Sequence, residues 1–198
     1  MHTIEILNFL IAIYKYKRYL EIGVYQAGTF NAIVAPEKDG IDPIYDAKYK
    51  MTSDEFFKIP GHKPYDLIFV DGAHLHEQVL KDTNNALALL ADNGTIVIHD
   101  CLPLKEEEQV RKTEWWGEIW NGDVWKAFAI LRTRPDLETY VVDSFYGHGI
   151  VRKGQQKPIS LPLELNWQYY QANRNTMLGV ISLSEFFETE MKRSRTNV

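Results

Sequence analysis

Acidic residues and histidines stand directly after two apolar runs of the sequence, where strands are expected to end. Asp71 and His74 follow one run, and His99 and Asp100 follow the other. Paired carboxylates can hold a divalent cation, whereas an imidazole can take a hydroxyl proton near neutral pH. The spacing predicts four catalytic residues, with His74 ranked first as the base and a metal site at Asp71 and Asp100 as the alternative. A hydrogen-bonded strand end without catalysis explains either histidine equally well.

A glycine-containing loop follows an earlier apolar run, in the segment YLEIGVYQAGTF at residues 19–30. Gly23 and Gly28 would let a ligand approach the backbone, because no side chain blocks it there. Asp42 follows the next short run and could accept hydrogen bonds from both hydroxyls of a ribose. The segment predicts a ligand site, although a plain strand-to-helix connection would carry the same glycines.

Short apolar runs alternate with helical patterns along the chain. Apolar residues recur at helical spacing from His76 to Leu90, and Asn93-Gly94 is expected to stop that helix before the next run. Such alternation favours an open, largely parallel sheet that binds ligands at the carboxyl ends of its strands. The predicted elements are strands at residues 18–23, 65–70 and 95–98, helices at 76–90 and 124–133, and a closing antiparallel hairpin at 138–142 and 149–152.

The loop resembles the first motif of the class I S-adenosylmethionine-dependent methyltransferases. That motif is a Glu-hydrophobic-Gly step followed by a small glycine-rich turn and a Ser or Thr. Glu21, Gly23, Gly28 and Thr29 match it, and Ala27 stands where many members of the family carry glycine.

A second pattern narrows the resemblance to a subgroup. Residues 71–74, DGAH, and residues 93–100, NGTIVIHD, look like a pattern of methyltransferases related to sugar and small-molecule O-methyltransferases. Some of these relatives bind a divalent cation with acids at the two strand ends. They often have a third oxygen ligand next in the chain, where this sequence has Cys101, a poor ligand for a hard cation. Metal dependence therefore stays an open alternative.

The resemblance, which covers residues 18–103, implies a Rossmann-like class I methyltransferase sheet, largely parallel with an antiparallel last strand and helices on both faces. It implies methyl transfer from S-adenosyl-L-methionine to an oxygen of a small molecule or sugar, with Mg²⁺ or Mn²⁺ as an open second cofactor. Two alternative functions are an NAD-dependent oxidoreductase and a catalytically silent cofactor-binding protein. The G-x-G-x-x-G pattern of the oxidoreductases is absent from the loop. The implied cofactor-binding residues are Glu21, Gly23, Tyr25, Gly28, Thr29, Asp42, Ser53, Asp54 and Asp71.

Two further segments allow two interpretations each. Ser53 and Asp54 are expected either beside the adenine of the cofactor or only at the capped start of a helix, since Thr52 and Glu55 have the spacing of a capping box. Tryptophans crowd residues 115–125 and predict either a lid that stacks on the acceptor or packing in the core.

Composition and charge indicate one domain. The 198 residues are predicted to form an N-terminal helix in 1–17, a core in 18–153 and a C-terminal extension in 154–198 that ends in a frayed basic tail. The net charge of −5 offers no attraction for nucleic acid or anionic lipid, and no apolar run is long enough to span a membrane. A single cysteine favours the cytoplasm. The expected partner is a small-molecule or sugar acceptor, and a homo-oligomer is left open.

Overall fold

The computed structural model describes residues 2–111 and 119–196. The strands are β1 (Arg18–Ile22), β2 (Glu37–Ile41), β3 (Tyr65–Val70), β4 (Leu90–Ile98), β5 (Leu137–Asp143), β6 (His148–Lys153) and β7 (Val180–Ser182). The helices are α1 (His2–Tyr14), α2 (Gly28–Ala32), α3 (Ser53–Phe56), α4 (His76–Leu89), α5 (Val124–Leu131), α6 (Trp167–Leu178) and α7 (Leu183–Thr196), with a 3-10 turn at Glu106–Gln109.

All seven strands belong to one sheet in the order β2-β1-β3-β4-β6-β5-β7. Strands β1 to β4 are parallel to one another, β6 is antiparallel to both β4 and β5, and β7 is parallel to β5. The predicted class, a largely parallel Rossmann-like sheet, is confirmed. The antiparallel strand is β6, which is followed by the short strand β7, whereas the prediction made the antiparallel strand the last one. The predicted closing hairpin is β5 and β6.

Alternate side chains of the central strands enter two cores, one on each face of the sheet. Leu20 and Ile68 pack with α4 and α5 on one face, whereas Tyr19 and Phe69 pack with α1 and α7 on the other. Trp125 is fully buried in the first core, as the packing interpretation of the tryptophans predicted. Trp115 and Trp116 lie outside the described residues.

The carboxyl ends of β1 and β3 are held together by a glycine. Gly23 has φ +90°, and a Cβ atom there would lie only 2.2 Å from the Asp71 carbonyl oxygen. The Asp71 N–H donates to the Ile22 carbonyl at 2.9 Å, and the Gly23 N–H donates to the Ile41 carbonyl at 2.9 Å. Only glycine combines this backbone conformation with so close an approach, so Gly23 fixes where Asp71 emerges from the sheet.

The strand expected at residues 95–98 begins earlier than predicted. Leu90 already pairs with Tyr65, and the register then shifts before Leu67 pairs with Thr95. Gly94 lies in this irregular stretch, where a Cβ atom would come within 2.9 Å of the Asp66 carbonyl oxygen. The prediction that Asn93-Gly94 ends the helix was therefore wrong, because the glycine accommodates a bulge inside the strand.

The basic C-terminal segment is helical, which corrects the expectation of a frayed tail. Helix α7 runs to Thr196 because Phe186 and Glu190 are fully buried against the sheet. The Glu190 carboxylate pairs with the buried Arg152 guanidinium at 2.7 Å, and Arg193 pairs with Glu138. None of the described helices is both long and apolar enough to cross a membrane.

Candidate active site

The structure brings Asp71, His74, His99 and Asp100 together at the carboxyl ends of β3 and β4; we call these four residues the strand-end cluster. The His74 Nε2 lies 3.3 Å from Asp71 Oδ1, and the His74 Nδ1 lies 3.2 Å from Asp100 Oδ2. The His99 Nδ1 lies 3.2 Å from Asp71 Oδ1 and 3.4 Å from Asp100 Oδ1. Two imidazoles therefore bridge two carboxylates, because β3 and β4 are adjacent parallel strands.

Both ring nitrogens of His74 face hydrogen-bond acceptors. The Trp120 carbonyl oxygen, 3.0 Å from Nδ1, can only accept, so Nδ1 carries a proton, and Nε2 faces a carboxylate. Burial lowers the pKa of His74, but the hydrogen bond to Asp71 and the charges of Asp100 and Asp71 outweigh burial and raise it to about 9. His74 is therefore an imidazolium at neutral pH.

His99 is held in the same charged form. Its Nε2 lies 3.2 Å from the Phe145 carbonyl oxygen. Burial lowers the pKa of His99, but the charges of Asp100 and Asp71 raise it to about 9. Burial alone would raise the pKa of Asp71; the positive charge of His99 and the hydrogen bonds from both histidines instead hold it well below its usual range. For Asp100, burial prevails over the nearby histidines and raises the pKa.

Two members of the cluster have a left-handed backbone, with φ +52° at His74 and +62° at Asp100. A residue with a side chain adopts this conformation uncommonly, and such outliers concentrate at functional sites, where the surrounding structure holds them. The conformation turns both side chains back over the strand ends. It is therefore part of how the cluster is assembled.

The segment from Trp120 to Asp123 packs against the cluster, which the sequence analysis missed. The Asn121 Nδ2 donates to Asp100 Oδ1 at 2.6 Å, and the Trp120 ring lies 5.1 Å from the His74 ring. Gly122 has φ +60°, and a Cβ atom there would lie 1.8 Å from the His74 carbonyl oxygen. The Asn-Gly pair does indicate a turn, but nothing in the sequence shows which strand end the turn contacts.

The Asn121 side chain is 1% exposed, and its Oδ1 has no hydrogen-bond partner within residues 2–111 and 119–196. Cys101, by contrast, points away from the cluster. Its thiol is fully buried and lies 3.5 Å from the Ile98 carbonyl oxygen, and burial raises its pKa. The side chain that follows Asp100 therefore belongs to the core and offers no ligand atom to the cluster.

A cavity of about 510 Å³ lies beside the glycine-containing loop, within the size range of small-molecule sites. Tyr25 and Ala27 in this loop have left-handed backbones, with φ of +48° and +61°. A Cβ atom on Gly28 would meet nothing within 4 Å. The cavity is lined by Val24, Tyr25, Gln26, Ala27, Phe30, Asn31, Gly40, Tyr45, Asp46, Ala47 and Lys48.

Asp42 fixes both walls of this cavity. Its Oδ2 accepts from the Tyr25 N–H at 2.9 Å, and its Oδ1 accepts from the N–H groups of Ile44 and Tyr45 at 2.8 Å each. The carboxylate is 6% exposed. Three of about four acceptor positions are therefore already used by the backbone. The structure leaves room for one further hydrogen bond to a ribose, not the two that the sequence analysis expected.

The other predicted cofactor residues lie in β1, α2 and α3. Glu21 is buried next to the Tyr19 hydroxyl, which donates to it at 2.5 Å; burial raises the pKa of Glu21 to about 8. Ser53 and Asp54 begin α3 after the capping box formed by Thr52 and Glu55. Both accept from the Gln78 amide of α4, at 3.3 and 3.2 Å. Thr29 follows Gly28 in the first turn of α2.

Comparison with known proteins identifies the central part of the chain. Residues 16–101 match the sequence profile of a family described as a methyltransferase domain. Over these residues the chain is similar to that family. The predicted enzyme class, an S-adenosylmethionine-dependent methyltransferase, is confirmed. The match ends immediately after Asp100 and Cys101, so it spans the glycine-containing loop and the strand-end cluster. No curated protein sequence matches the chain.

Solved structures of methyltransferases share the fold of this chain. The methyltransferase PaMTH1 of Podospora anserina, bound to S-adenosylhomocysteine, is 19% identical with a TM-score of 0.58, over 77% of this chain and 78% of that one. The O-methyltransferase of Bacillus cereus, in complex with S-adenosylhomocysteine, is 13% identical with a TM-score of 0.56, over 77% and 81%. The O-methyltransferase TomG of Streptomyces achromogenes, in complex with S-adenosylmethionine, is 14% identical with a TM-score of 0.54, over 77% and 79%.

Proposed function

We propose that the protein transfers the methyl group of S-adenosylmethionine to an oxygen atom of a small molecule or sugar. The observation that carries the proposal is the strand-end cluster, in which His74 lies between Asp71 and Asp100 at adjacent strand ends of the methyltransferase domain. An oxygen nucleophile has to lose a proton, and this cluster supplies a group that can receive it. Two solved structures of similar fold are named O-methyltransferases, which supports the choice of acceptor.

The cofactor would lie along the loop that follows β1. The cavity of about 510 Å³ would accommodate a nucleoside-containing ligand, and Gly28, next to the lining residue Ala27, leaves its own surroundings open because a Cβ atom there would meet nothing within 4 Å. Tyr25 would form one wall, and Asp42 would offer its remaining acceptor position to a ribose hydroxyl. Bound there, the cofactor supplies an activated methyl group, so proximity and alignment provide most of the rate.

Proton transfer is assigned to the Nε2 atom of His74. The Nδ1 proton is fixed by two acceptors, the Trp120 carbonyl and Asp100, at 3.0 and 3.2 Å. The Nε2 contact to Asp71 is longer, at 3.3 Å. Asp71 is the more exposed of the two carboxylates, so Nε2 is the ring nitrogen that an acceptor can approach. Once Nε2 has lost its proton, the neutral ring can accept the proton of the acceptor hydroxyl. Asp71, with 27% of its side chain exposed, borders the side from which an acceptor arrives.

The divalent cation that the sequence analysis left open does not fit the donor atoms as arranged. N–H groups of His74 and His99 face Asp71 Oδ1, and N–H groups of Asn121, His99 and His74 face the two oxygens of Asp100. Cys101 offers no ligand atom because its thiol packs in the core. A hard cation requires oxygen ligands at these positions. We therefore assign no step to a metal.

Ligand-dependent thermal stability tests the proposed function. S-adenosylmethionine and S-adenosylhomocysteine should each raise the melting temperature, whereas NAD should not, because a ligand stabilises the fold only if it binds the native state. Gly28→Val should weaken the shift, because the added side chain fills open space at the first residue of α2, directly after the glycine-containing loop. Ala32→Val, which places the same side chain at the other end of α2, should keep the shift. An equal response to NAD would contradict the assignment.

A further inference from the structure

The chain contains a second group of histidine and carboxylate side chains, close to the strand-end cluster in sequence. His76, Glu77, Arg111 and Asp123 form what we call the outer cluster. The His76 Nδ1 lies 2.7 Å from Asp123 Oδ2, and the Arg111 guanidinium lies 3.0 Å from the same oxygen and 2.9 Å from Glu77. In the outer cluster, therefore, the Arg111 guanidinium, which is always positively charged, lies next to the two carboxylates.

In the strand-end cluster a side chain of the protein also lies next to the carboxylates, but it is the His74 imidazole instead of a guanidinium. The His74 ring lies between the two aspartates, within 3.3 Å of each. Ligand atoms of Asp71, His74 and Asp100 all lie within 4.8 Å of one another, which is the spacing of a metal site. The atoms that face the carboxylates are nevertheless N–H donors. At Asn121 the amide nitrogen, not the oxygen, points at Asp100.

We propose that the His74 imidazole takes the place of a divalent cation between Asp71 and Asp100, so that the intact site has no affinity for one. The inference deepens the proposed function and rests on it only in treating the strand-end cluster as the reacting centre. Two observations on the protein's own geometry support it.

First, the position of His74 is fixed by its surroundings. Its backbone is left-handed, its carbonyl is covered by Gly122, and its Nδ1 is tied to the Trp120 carbonyl. The ring is also packed against the Trp120 ring, at 5.1 Å. With 19% of the side chain exposed, the ring cannot leave the gap without disturbing this packing.

Second, the space between the carboxylates is already taken by ring nitrogens. The two bridging rings, His74 and His99, meet acceptor oxygens at every ring nitrogen. A ring whose two nitrogens both donate is positively charged. An added divalent cation would therefore have to displace a proton or a ring before it met the carboxylates.

The proposal predicts that removal of the ring creates a cation site. In His74→Asn the imidazole is replaced by a short side chain with an amide oxygen, and asparagine tolerates the left-handed backbone. Asp71, Asp100 and the new amide oxygen then form a set of hard ligands. Mn²⁺ alone is the probe, because free and bound Mn²⁺ are separated directly by electron paramagnetic resonance.

We expect no saturable Mn²⁺ binding to the wild type at pH 7.5, and affinity at least tenfold higher, with one ion per chain, in His74→Asn. Adding Asp100→Asn to that variant should remove the gain. His76→Asn, the same substitution in the outer cluster, should behave like the wild type because Arg111 still occupies that cluster.

Circular dichroism and thermal unfolding, measured on every variant, show that each is folded, and calorimetric binding of S-adenosylhomocysteine tests the proposed function separately. Stoichiometric Mn²⁺ binding by the wild type would overturn the inference. So would a folded His74→Asn variant that binds Mn²⁺ no better than the wild type. Failure of all variants, including the wild type, to bind S-adenosylhomocysteine would contradict the proposed function instead and leave the Mn²⁺ comparison interpretable.

Discussion

Two histidines only two positions apart, His74 and His76, each contact a carboxylate, but only His74 belongs to the proposed active site. In the outer cluster, Asp123 is 1% exposed and is shared by His76 and by the Arg111 guanidinium, which never loses its proton. In the strand-end cluster, Asp71 is 27% exposed, and its partners are imidazoles. Residue types alone do not make a reactive site.

The backbone sharpens this difference. His74 and Asp100 have left-handed conformations, whereas His76 is the first residue of α4 and Asp123 immediately precedes α5. The outer cluster ties the start of α4 to the segment that follows Trp120. It therefore fixes the start of α4 next to Trp120 and Asn121, which contact His74 and Asp100.

The largest difference is expected in turnover. His74→Ala should lower methyl transfer about 10²- to 10⁴-fold, the usual contribution of a proton-transfer residue, with little change in cofactor affinity. His76→Ala should change turnover only a few-fold, because Asp123 keeps Arg111 as a partner. Transfer of a tritiated methyl group to a panel of hydroxyl acceptors measures both. Equal losses of turnover in the two variants would contradict the claim that only the strand-end cluster takes part in the reaction.

The pH dependence of turnover should reflect the titration of His74 and should not depend on His76. The pKa of His74 is raised to about 9, and the ring accepts a proton only when neutral. Turnover should therefore rise about tenfold per pH unit below pH 9 and level off above it. A profile of kcat from pH 6.5 to 9.5 tests this, with His76→Ala expected to show the same rise. Activity that falls as pH increases through this range would show that the charged ring is required.

A smaller effect is expected at the cofactor loop. Asp42→Ala removes the acceptor of three backbone N–H groups in the two cavity walls. We expect affinity for S-adenosylhomocysteine to weaken by about 1–3 kcal/mol, with calorimetry as the measurement. Asp46→Ala, which removes an aspartate from the lining of the same cavity, is the matched control. Unchanged affinity in Asp42→Ala would place the cofactor away from these walls.

The smallest effect concerns the outer cluster itself. Arg111→Met removes a guanidinium whose side chain is 47% exposed, and exposed ion pairs contribute little. The free energy of unfolding should fall by no more than about 1 kcal/mol, measured by urea denaturation, and affinity for S-adenosylhomocysteine should not change. A loss of cofactor binding would mean that the outer cluster takes part in the site.

The sheet and the cluster of acids and histidines were predictable because they depend on local patterns. Apolar runs such as Tyr65–Val70 identify buried parallel strands, and parallel strands place their following residues at one edge. The enzyme class followed from the loop around Gly23 and Gly28. The resemblance added the order of the motifs, which periodicity alone does not provide.

The features that the sequence did not predict depend on contacts between residues far apart in the chain. Nothing local shows that Asn121 meets Asp100, since 21 residues separate them. The tail expected to fray is helical because Glu190 meets Arg152, 38 residues away. Asp42 was assigned to a ribose from its position after a strand, but its carboxylate also fixes three backbone N–H groups, which a sequence pattern does not reveal.

The most direct test of the account is a nuclear magnetic resonance titration of the ¹⁵N-labelled protein with S-adenosylhomocysteine. Amide signals of Tyr25 and Gly28 in the loop, and of His74 at the strand end, should shift together and saturate at one ligand per chain. Signals of His76 and Asp123 in the outer cluster should move little. If the largest shifts fall on the outer cluster, or if none of the loop signals moves, the proposed site is contradicted.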